Sequence, residues 1–360
     1  MVLLTDLLRK TLEMGGSDMF IVPGSPVMAK VHGSIRQVSD ERMMPKDTEE
    51  LVATAYELAG RNPQTLERGG DDDFSFSLEH MSRFRCNVYK QRGTLAATCR
   101  VVTFGLPDPK ELKIPDLVMQ QTDLHSGMIL VTGPAGSGKS TTLACMINRI
   151  NQSRAGHIIT IEDPIEYLHS HGKSLVSQRE VPSDAPTFDR ALRAALRQAP
   201  DVIMLGEMRD HETMQTAITA AETGHLLLSS LHTIGAAKTV DRIIDAFPPN
   251  QQQQVRVQLS MVLRAVISQR LVPKVNGEQV AVFEVMTINP AVQNMIRDGK
   301  THQIDNVIYS GSTGVGGAAG AGQQMLSMDS ELVRMYKAGE ITQETAITYA
   351  ANTEMIRKRL

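Results

Sequence analysis

The stretch Gly133-Pro134-Ala135-Gly136-Ser137-Gly138-Lys139-Ser140 fits G-x-x-x-x-G-K-[ST], the spacing of a phosphate-cradling loop. Glycines let the backbone curl so that successive N–H groups point at phosphate oxygens. Lys139 supplies a point charge to the β- and γ-phosphates. Ser140 offers a hydroxyl to Mg²⁺, and Thr141 follows it. Glu207 comes one residue after the apolar run Val202-Ile203-Met204-Leu205 and fits the acid at a strand end that holds Mg²⁺ or its water. Glu162, Asp163 and Glu166 crowd after a second apolar run, 157–161. Of these, Glu166 is the candidate to orient or deprotonate an attacking water. His232 follows a further run, 226–231, and is placed to sense the γ-phosphate. His225 precedes that run and is read as structural. The chemistry these types support is Mg²⁺-dependent hydrolysis of a nucleoside triphosphate. No arginine lies in the phosphate loop to neutralise developing charge. Arg83 and Arg85 are therefore candidates for trans-acting fingers from a neighbouring subunit, with Arg193, Arg197 and Arg209 as rivals.

The elements that must place these residues follow from hydrophobic pattern. Met128-Ile129-Leu130-Val131 reads as a buried strand before the phosphate loop, and residues 141–147 as a helix after it. The helix N-terminus adds a positive dipole end for an anion. The runs at 128–132, 157–161, 202–205 and 226–231 each end in polar or ionisable residues. In an open α/β sheet, ligands bind outside the carboxyl ends of the strands. Strands alternating with helical patterns signal a parallel sheet with crossover helices. Toward the C-terminus, Val240, Ile243, Ile244 and Phe247 form one helical stripe. A longer one runs from Val255 through Val262, Leu263, Val266 and Ile267 to the neighbourhood of Arg270. A hairpin turning at Asn276-Gly277 is expected next, then a short helix opened by Asn289-Pro290, then helices over 328–337 and 342–357.

The first 104 residues read differently. Leu3, Leu4, Leu7, Leu8 and Leu12 keep helical spacing, strand-like pieces follow, and 51–58 reads as a second helix. Phe74, Phe76 and Leu78 alternate with polar residues, as do Phe84, Cys86 and Val88, so Arg83, Arg85 and Asn87 share the opposite face of one strand. Asp71-Asp72-Asp73 is expected to be a solvated strand entry rather than a metal cluster. This gives a small α+β domain over 1–104, a Pro/Gly linker over 105–116, an ATPase-type α/β domain over 117–290 and a C-terminal helical region over 291–360. A Gly/Ala-rich stretch at 311–322, without a Lys-Ser or Lys-Thr after it, reads as a flexible loop.

Composition sets bounds. A 41% hydrophobic and 21% charged chain suits a globular protein. Three scattered cysteines form no C-x-x-C pair and argue against a disulfide framework. Those cysteines make a reducing cytoplasm the expected setting, and the start, Met1 to Asp6, lacks the basic region and long apolar core of a signal peptide. Net charge of −3 and only 4% aromatics speak against a nucleic-acid translocase, which needs a basic channel and stacking rings. No nucleic-acid partner is expected. Lys139, Glu166 and Glu207 together speak against a module that holds nucleotide without turnover.

The chain resembles the type IV pilus retraction ATPases, the PilT-like branch of the secretion and pilus motor superfamily. Gly133 to Ser140 is similar to their Walker A. Ile161-Glu162-Asp163-Pro164-Ile165-Glu166 resembles their acidic box, and Leu205-Gly206-Glu207-Met208-Arg209-Asp210 their Walker B. Thr223-Gly224-His225-Leu226 with Leu231-His232-Thr233 resembles the histidine box, and Arg83-Phe84-Arg85-Cys86-Asn87 the N-terminal arginine segment. The resemblance implies a PAS-like N-terminal domain, a RecA-like P-loop ATPase domain and a homohexamer that binds ATP and Mg²⁺ between domains, with arginines supplied in trans. It implies docking on the inner-membrane pilus platform protein from the cytoplasmic side. Ala291-Val292-Gln293-Asn294-Met295-Ile296 departs from the family's Ala-Ile-Arg-Asn-Leu-Ile by carrying Gln293 for arginine. That departure keeps open a PilU-like accessory paralogue and a paralogous retraction ATPase as partner.

Overall fold

The structure, a computed structural model, describes residues 3–79, 81–102, 105–312 and 325–360. The expected boundary at residue 104 and residues 313–322 of the Gly/Ala-rich stretch lie outside them. The chain forms two units, Met1–Gly105 with Glu166–Leu168, and Leu106–Ile165 with His169–Leu360.

The first unit runs α1 (Leu4–Glu13), β1 (Gly16–Ile21), β2 (Met28–Val31), β3 (Ser34–Gln37), α2 (Pro45–Ala59), α3 (Gln64–Gly69), β4 (Asp71–Leu78), β5 (Ser82–Gln91) and β6 (Thr94–Val102). Its six strands pair antiparallel in the order β3-β2-β1-β6-β5-β4. Leu4, Leu7 and Leu8 recur at helical spacing and are buried, as are Leu51, Val52 and Ala55 of α2. They share one core with Phe74, Phe76, Phe84, Cys86 and Val88. The alternation in β5 thus sends its apolar side chains inward and Arg83, Arg85 and Asn87 to the half-buried face. The β5–β6 connection is a two-residue turn: Gln91 pairs Thr94, and Arg92 and Gly93 both have positive φ, 48° and 78°. That backbone hand matches the twist of the strands it joins.

The acidic run departs from expectation. Asp72 is 4% exposed rather than solvated. Its carboxylate accepts from Arg61 Nη2 at 2.7 Å, Arg61 Nε at 3.0 Å and Tyr56 Oη at 3.1 Å. Strand alternation turns this one aspartate inward while Asp71 and Asp73 face out, and a buried carboxylate is tolerated only with such partners.

The second unit continues with α4 (Asp116–Gln120), β7 (Gly127–Thr132), α5 (Lys139–Ser153), β8 (His157–Glu162), β9 (Leu175–Glu180), α6 (Phe188–Ala195), β10 (Val202–Leu205), α7 (His211–Glu222), β11 (Leu226–Leu231), α8 (Ala236–Asp245), α9 (Pro249–Val262), β12 (Leu263–Pro273), β13 (Gln279–Thr287), α10 (Pro290–Arg297), α11 (Ile304–Ser312), α12 (Met328–Lys337), α13 (Gln343–Tyr349) and α14 (Thr353–Arg357). Seven strands order as β13-β12-β7-β11-β10-β8-β9. All pairs are parallel except β12 with β13. Strands covered on both faces need continuous apolar runs, and β7, β10 and β11 are buried at every position. Met128 and Leu130 pack with α7, α8 and α9 on one face; Ile129 and Val131 pack with α5 on the other.

Two helices differ from the sequence reading. The stripe expected to reach Arg270 breaks at Val262, and Leu263 onward is strand. Buried apolar residues satisfy either period there; pairing on both sides, with β7 and β13, decides for strand. The helix expected over 342–357 divides at 350–352. The buried Asp329 carboxylate draws in the N–H groups of Ala351 at 2.6 Å and Asn352 at 2.9 Å. Asn352 then caps α14 through Met355 N–H. β9 and α6 were not foreseen.

Candidate functional site

Register brings the chemistry together. Thr132 at the end of β7 lies beside Leu231 of β11, Leu205 of β10 beside Ser229, and Leu205 beside Ile161 of β8. These four strands are parallel, so the segments after Thr132, Leu205 and Leu231 emerge along one edge.

The phosphate loop is locked by its glycines. Gly133 has φ 147°, and a Cβ there would stand 2.2 Å from the Gln269 carbonyl oxygen and 2.7 Å from Ser137 Oγ. Gly138 has φ 87° and precedes α5 directly. Ser137 Oγ is buried with no hydrogen-bond partner among the described residues. Lys139 Nζ donates to the carbonyls of Gly133 at 3.0 Å and Pro134 at 2.9 Å. A cradle that admits no Cβ, an orphaned hydroxyl and a buried ammonium at a helix N-terminus suit an anion with several oxygens.

Lys139, His232 and Glu207 form a chain. Lys139 Nζ is 3.5 Å from His232 Nδ1, and His232 Nε2 is 3.3 Å from Glu207 Oε2. An ammonium only donates, so Nδ1 accepts and the ring proton sits on Nε2, facing the carboxylate. Glu207 also pairs with Arg209. Burial alone would push the Glu207 carboxyl up; Arg209 and His232 outweigh that and hold it below the usual carboxylate range. Its turn is anchored by Ser230 Oγ donating to Gly206 O at 2.6 Å. Asp210 caps α7 through Thr213 N–H at 2.8 Å.

Ser140 is exposed at the first turn of α5. An ionised carboxylate and a hydroxyl are hard oxygen donors of the kind Mg²⁺ takes alongside phosphate oxygens and water. Among the described residues no group of three or more His, Cys, Asp or Glu is placed to hold a metal ion.

Other candidates fall elsewhere. Glu166 is exposed and belongs with Tyr167 and Leu168 to the first unit. Glu162 is buried and accepts from Thr160 Oγ1 at 2.6 Å and Gln178 Nε2 at 3.1 Å. Asp163 is exposed. His225 Nδ1 lies 3.0 Å from Ala220 O and 3.1 Å from Thr223 Oγ1, at the opposite end of β11 from His232. Arg193 is tied to Asp189 on its own helix at 2.9 Å. In the first unit, Arg83 Nη1 donates to Ser77 Oγ at 3.4 Å and Arg85 lies 3.8 Å from Asp73.

Several residues escaped the sequence reading. Arg100 of β6 stands directly opposite Arg85 and binds Asp18 at 2.8 Å; period-two alternation in β6 was the signal. Glu180 of β9 accepts from the N–H of Ile165 at 3.0 Å, fixing the residue before Glu166. Beside the phosphate loop a cavity of about 270 Å³ is lined by Ile114, Gly138, Thr142, Gln269, Leu271 and Phe283 among others.

Glu284 of β13 also went unread. Burial pushes its carboxyl up to about 7, against the N–H groups of Ala236 and Met328, while Asp305 and Asp329 add to the rise. Ala236 N donates to it at 3.0 Å, at the start of the helix after His232. A carboxyl raised from 4.5 to about 7 leaves its stability intact below pH 4.5 and costs about 3 kcal/mol once pH has risen through 7. Thermal melts of Glu284→Gln should therefore match the parent at pH 4.5 and lie above it at pH 8. Equal gaps at both pH values would contradict this.

A sequence model of the family described as "Type II/IV secretion system protein" matches residues 97–358. The chain is 40% identical over 344 residues to the "Type IV pilus retractation ATPase PilT" of Pseudomonas aeruginosa, covering 95% of this chain and 96% of that protein. It is 38% identical over 352 residues to the "Type IV pilus ATPase PilU" of the same organism, covering 98% and 89%. The solved structure of the pilus retraction motor PilT with bound ADP superposes with a TM-score of 0.87 at 42% identity, over 99% of this chain and all of that one.

Proposed function

The chain belongs to the family of type II/IV secretion system proteins, and from that premise we propose that it is a motor ATPase whose hydrolysis of ATP drives retraction of a type IV pilus. The observation that carries the reading is the convergence of Lys139, His232 and Glu207 beside the phosphate loop. ATP binds with its phosphates on residues 133–141, and the cavity beside Thr142 takes the nucleoside. Lys139 offsets charge on the β- and γ-oxygens. Ser140 and Glu207 hold Mg²⁺, Glu207 partly through water. When bound, the ion neutralises charge developing on the phosphates. His232, with Nδ1 toward Lys139 and its Nε2 proton toward Glu207, is placed to report whether a γ-phosphate is present. Glu166 orients or deprotonates the attacking water.

Arg83 and Arg85 act in trans on a neighbouring subunit's nucleotide, within a homohexamer. Among the described residues no helix is long and apolar enough to cross a membrane. The ring works in the cytoplasm and docks on the inner-membrane platform protein of the pilus. Gln293, on the half-buried side of α10, favours a second reading as an accessory motor that works beside a paralogous retraction ATPase. Deleting the gene distinguishes them. Hyperpiliated cells that no longer twitch identify the main motor. Retraction that persists but fails under load identifies the accessory one, and unaltered piliation and twitching overturn both.

A further inference from the structure

Gln269 of β12 lies one residue beyond the last parallel pair with β7, Ser268 with Thr132. It is 3% exposed, and a buried side-chain amide needs partners for its donors and its acceptor. Its Oε1 accepts from Thr142 Oγ1 at 2.7 Å across 127 residues of sequence, and Thr142 sits in the first turn of α5. Its Nε2 lies 2.9 Å from where a Cβ on Gly138 would stand, and its main-chain oxygen 2.2 Å from where one on Gly133 would stand. Both ends of the phosphate turn therefore close on this one residue. Its neighbour Ser268 faces the other way and accepts from Gly235 N–H at 3.0 Å, in the segment that follows His232. Two consecutive residues of one strand thus hold the phosphate turn on one side and the His232 segment on the other.

We propose that Gln269 is a positioning residue for nucleotide binding, which sets the phosphate turn and the start of α5 in register through Thr142. The inference rests on the reading of residues 133–141 as the nucleotide site. Without the Gln269 amide, Thr142 keeps an unpaired buried hydroxyl and the turn loses its brace, so the amides of the turn no longer converge on the phosphates. The loss falls on affinity, because the turn must be held before any bond to phosphate is broken.

The test uses the full chain, titrated with a fluorescent ADP analogue and Mg²⁺, alongside ATP turnover and thermal melts. Gln269→Leu and the shape-conserving Thr142→Val should each weaken the analogue about tenfold and raise KM for ATP by a similar factor, with kcat changed less. The double variant should be no worse than the weaker-binding single, since one bond joins the pair. Gln269→Glu keeps the acceptor for Thr142 but buries a carboxylate beside the phosphates, and should lose affinity and melt below the parent at neutral pH. Parent affinity in both folded Gln269→Leu and Thr142→Val, or additive losses in the double, overturns the inference while leaving the site reading intact. Should Gln269→Leu not fold, Thr142→Val and Gln269→Glu decide: parent affinity in both overturns the inference. A parent chain that binds no analogue and releases no phosphate overturns the site reading and this inference together.

Discussion

Glu166→Gln should lower ATP turnover about 10³-fold and leave ADP affinity nearly unchanged, the loss expected when the proposed general base is replaced by its isosteric amide. Glu166 is exposed, so the amide disturbs no packing and stability should stay at the parent's value. The approach to it is fixed independently, because Glu180 holds the N–H of Ile165. Glu162 cannot substitute: it is buried, with its Oε1 engaged by Thr160 and Gln178. Steady-state phosphate release, paired with ADP titration, reads both halves. Turnover within a factor of three of the parent would remove Glu166 as the water-activating residue and leave Asp163, exposed at the same strand end, as the next to test.

Arg83→Ala should cut turnover by about 10³-fold or more, the scale on which arginine fingers act, with a far smaller effect on ADP binding. The half-buried face of β5 is where such a group is set: alternation fixes its direction, and its guanidinium reaches Ser77 Oγ at 3.4 Å. A mixing experiment separates trans from cis action. Arg83→Ala subunits keep their phosphate loop, and Lys139→Ala subunits keep their arginines. Co-assembled, they create some interfaces with both parts intact, so activity should exceed that of either variant alone. If mixing restores nothing while the variants demonstrably co-assemble, the arginine does not act across subunits.

Much of this was legible because the candidate site residues follow apolar runs. Val202 to Leu205, a short apolar run followed by Gly206, reads as a buried strand and is one, which puts Glu207 at its carboxyl end. The same holds for His232. The β5 face was legible because period two leaves arginines only one direction. The failures share a cause in tertiary context. Leu263 to Ile267 satisfies helix and strand alike, and only the flanking strands β7 and β13 decide. The break at 350–352 depends on Asp329, some twenty residues earlier, reaching two backbone amides. Asp72, Glu284 and Gln269 look like surface residues in one dimension; each is turned inward on its strand, where another part of the chain supplies its partner. β9 carries Ser177, Gln178 and Arg179 in its middle and gives little apolar signal at the sheet's edge.

The turn at Arg92-Gly93 has a consequence for how this protein can vary. Exposed hairpin tips ordinarily absorb insertions without harm. Here the tip is the only covalent join between β5 and β6, and it sets which residue of one strand meets which of the other. One extra residue accommodated by sliding the strands would turn Arg83 and Arg85 toward the oily interior and expel Phe84 and Cys86. A lineage could lengthen many surface loops of this chain freely, yet at this corner length itself is under constraint, although no atom of the turn need ever approach a nucleotide.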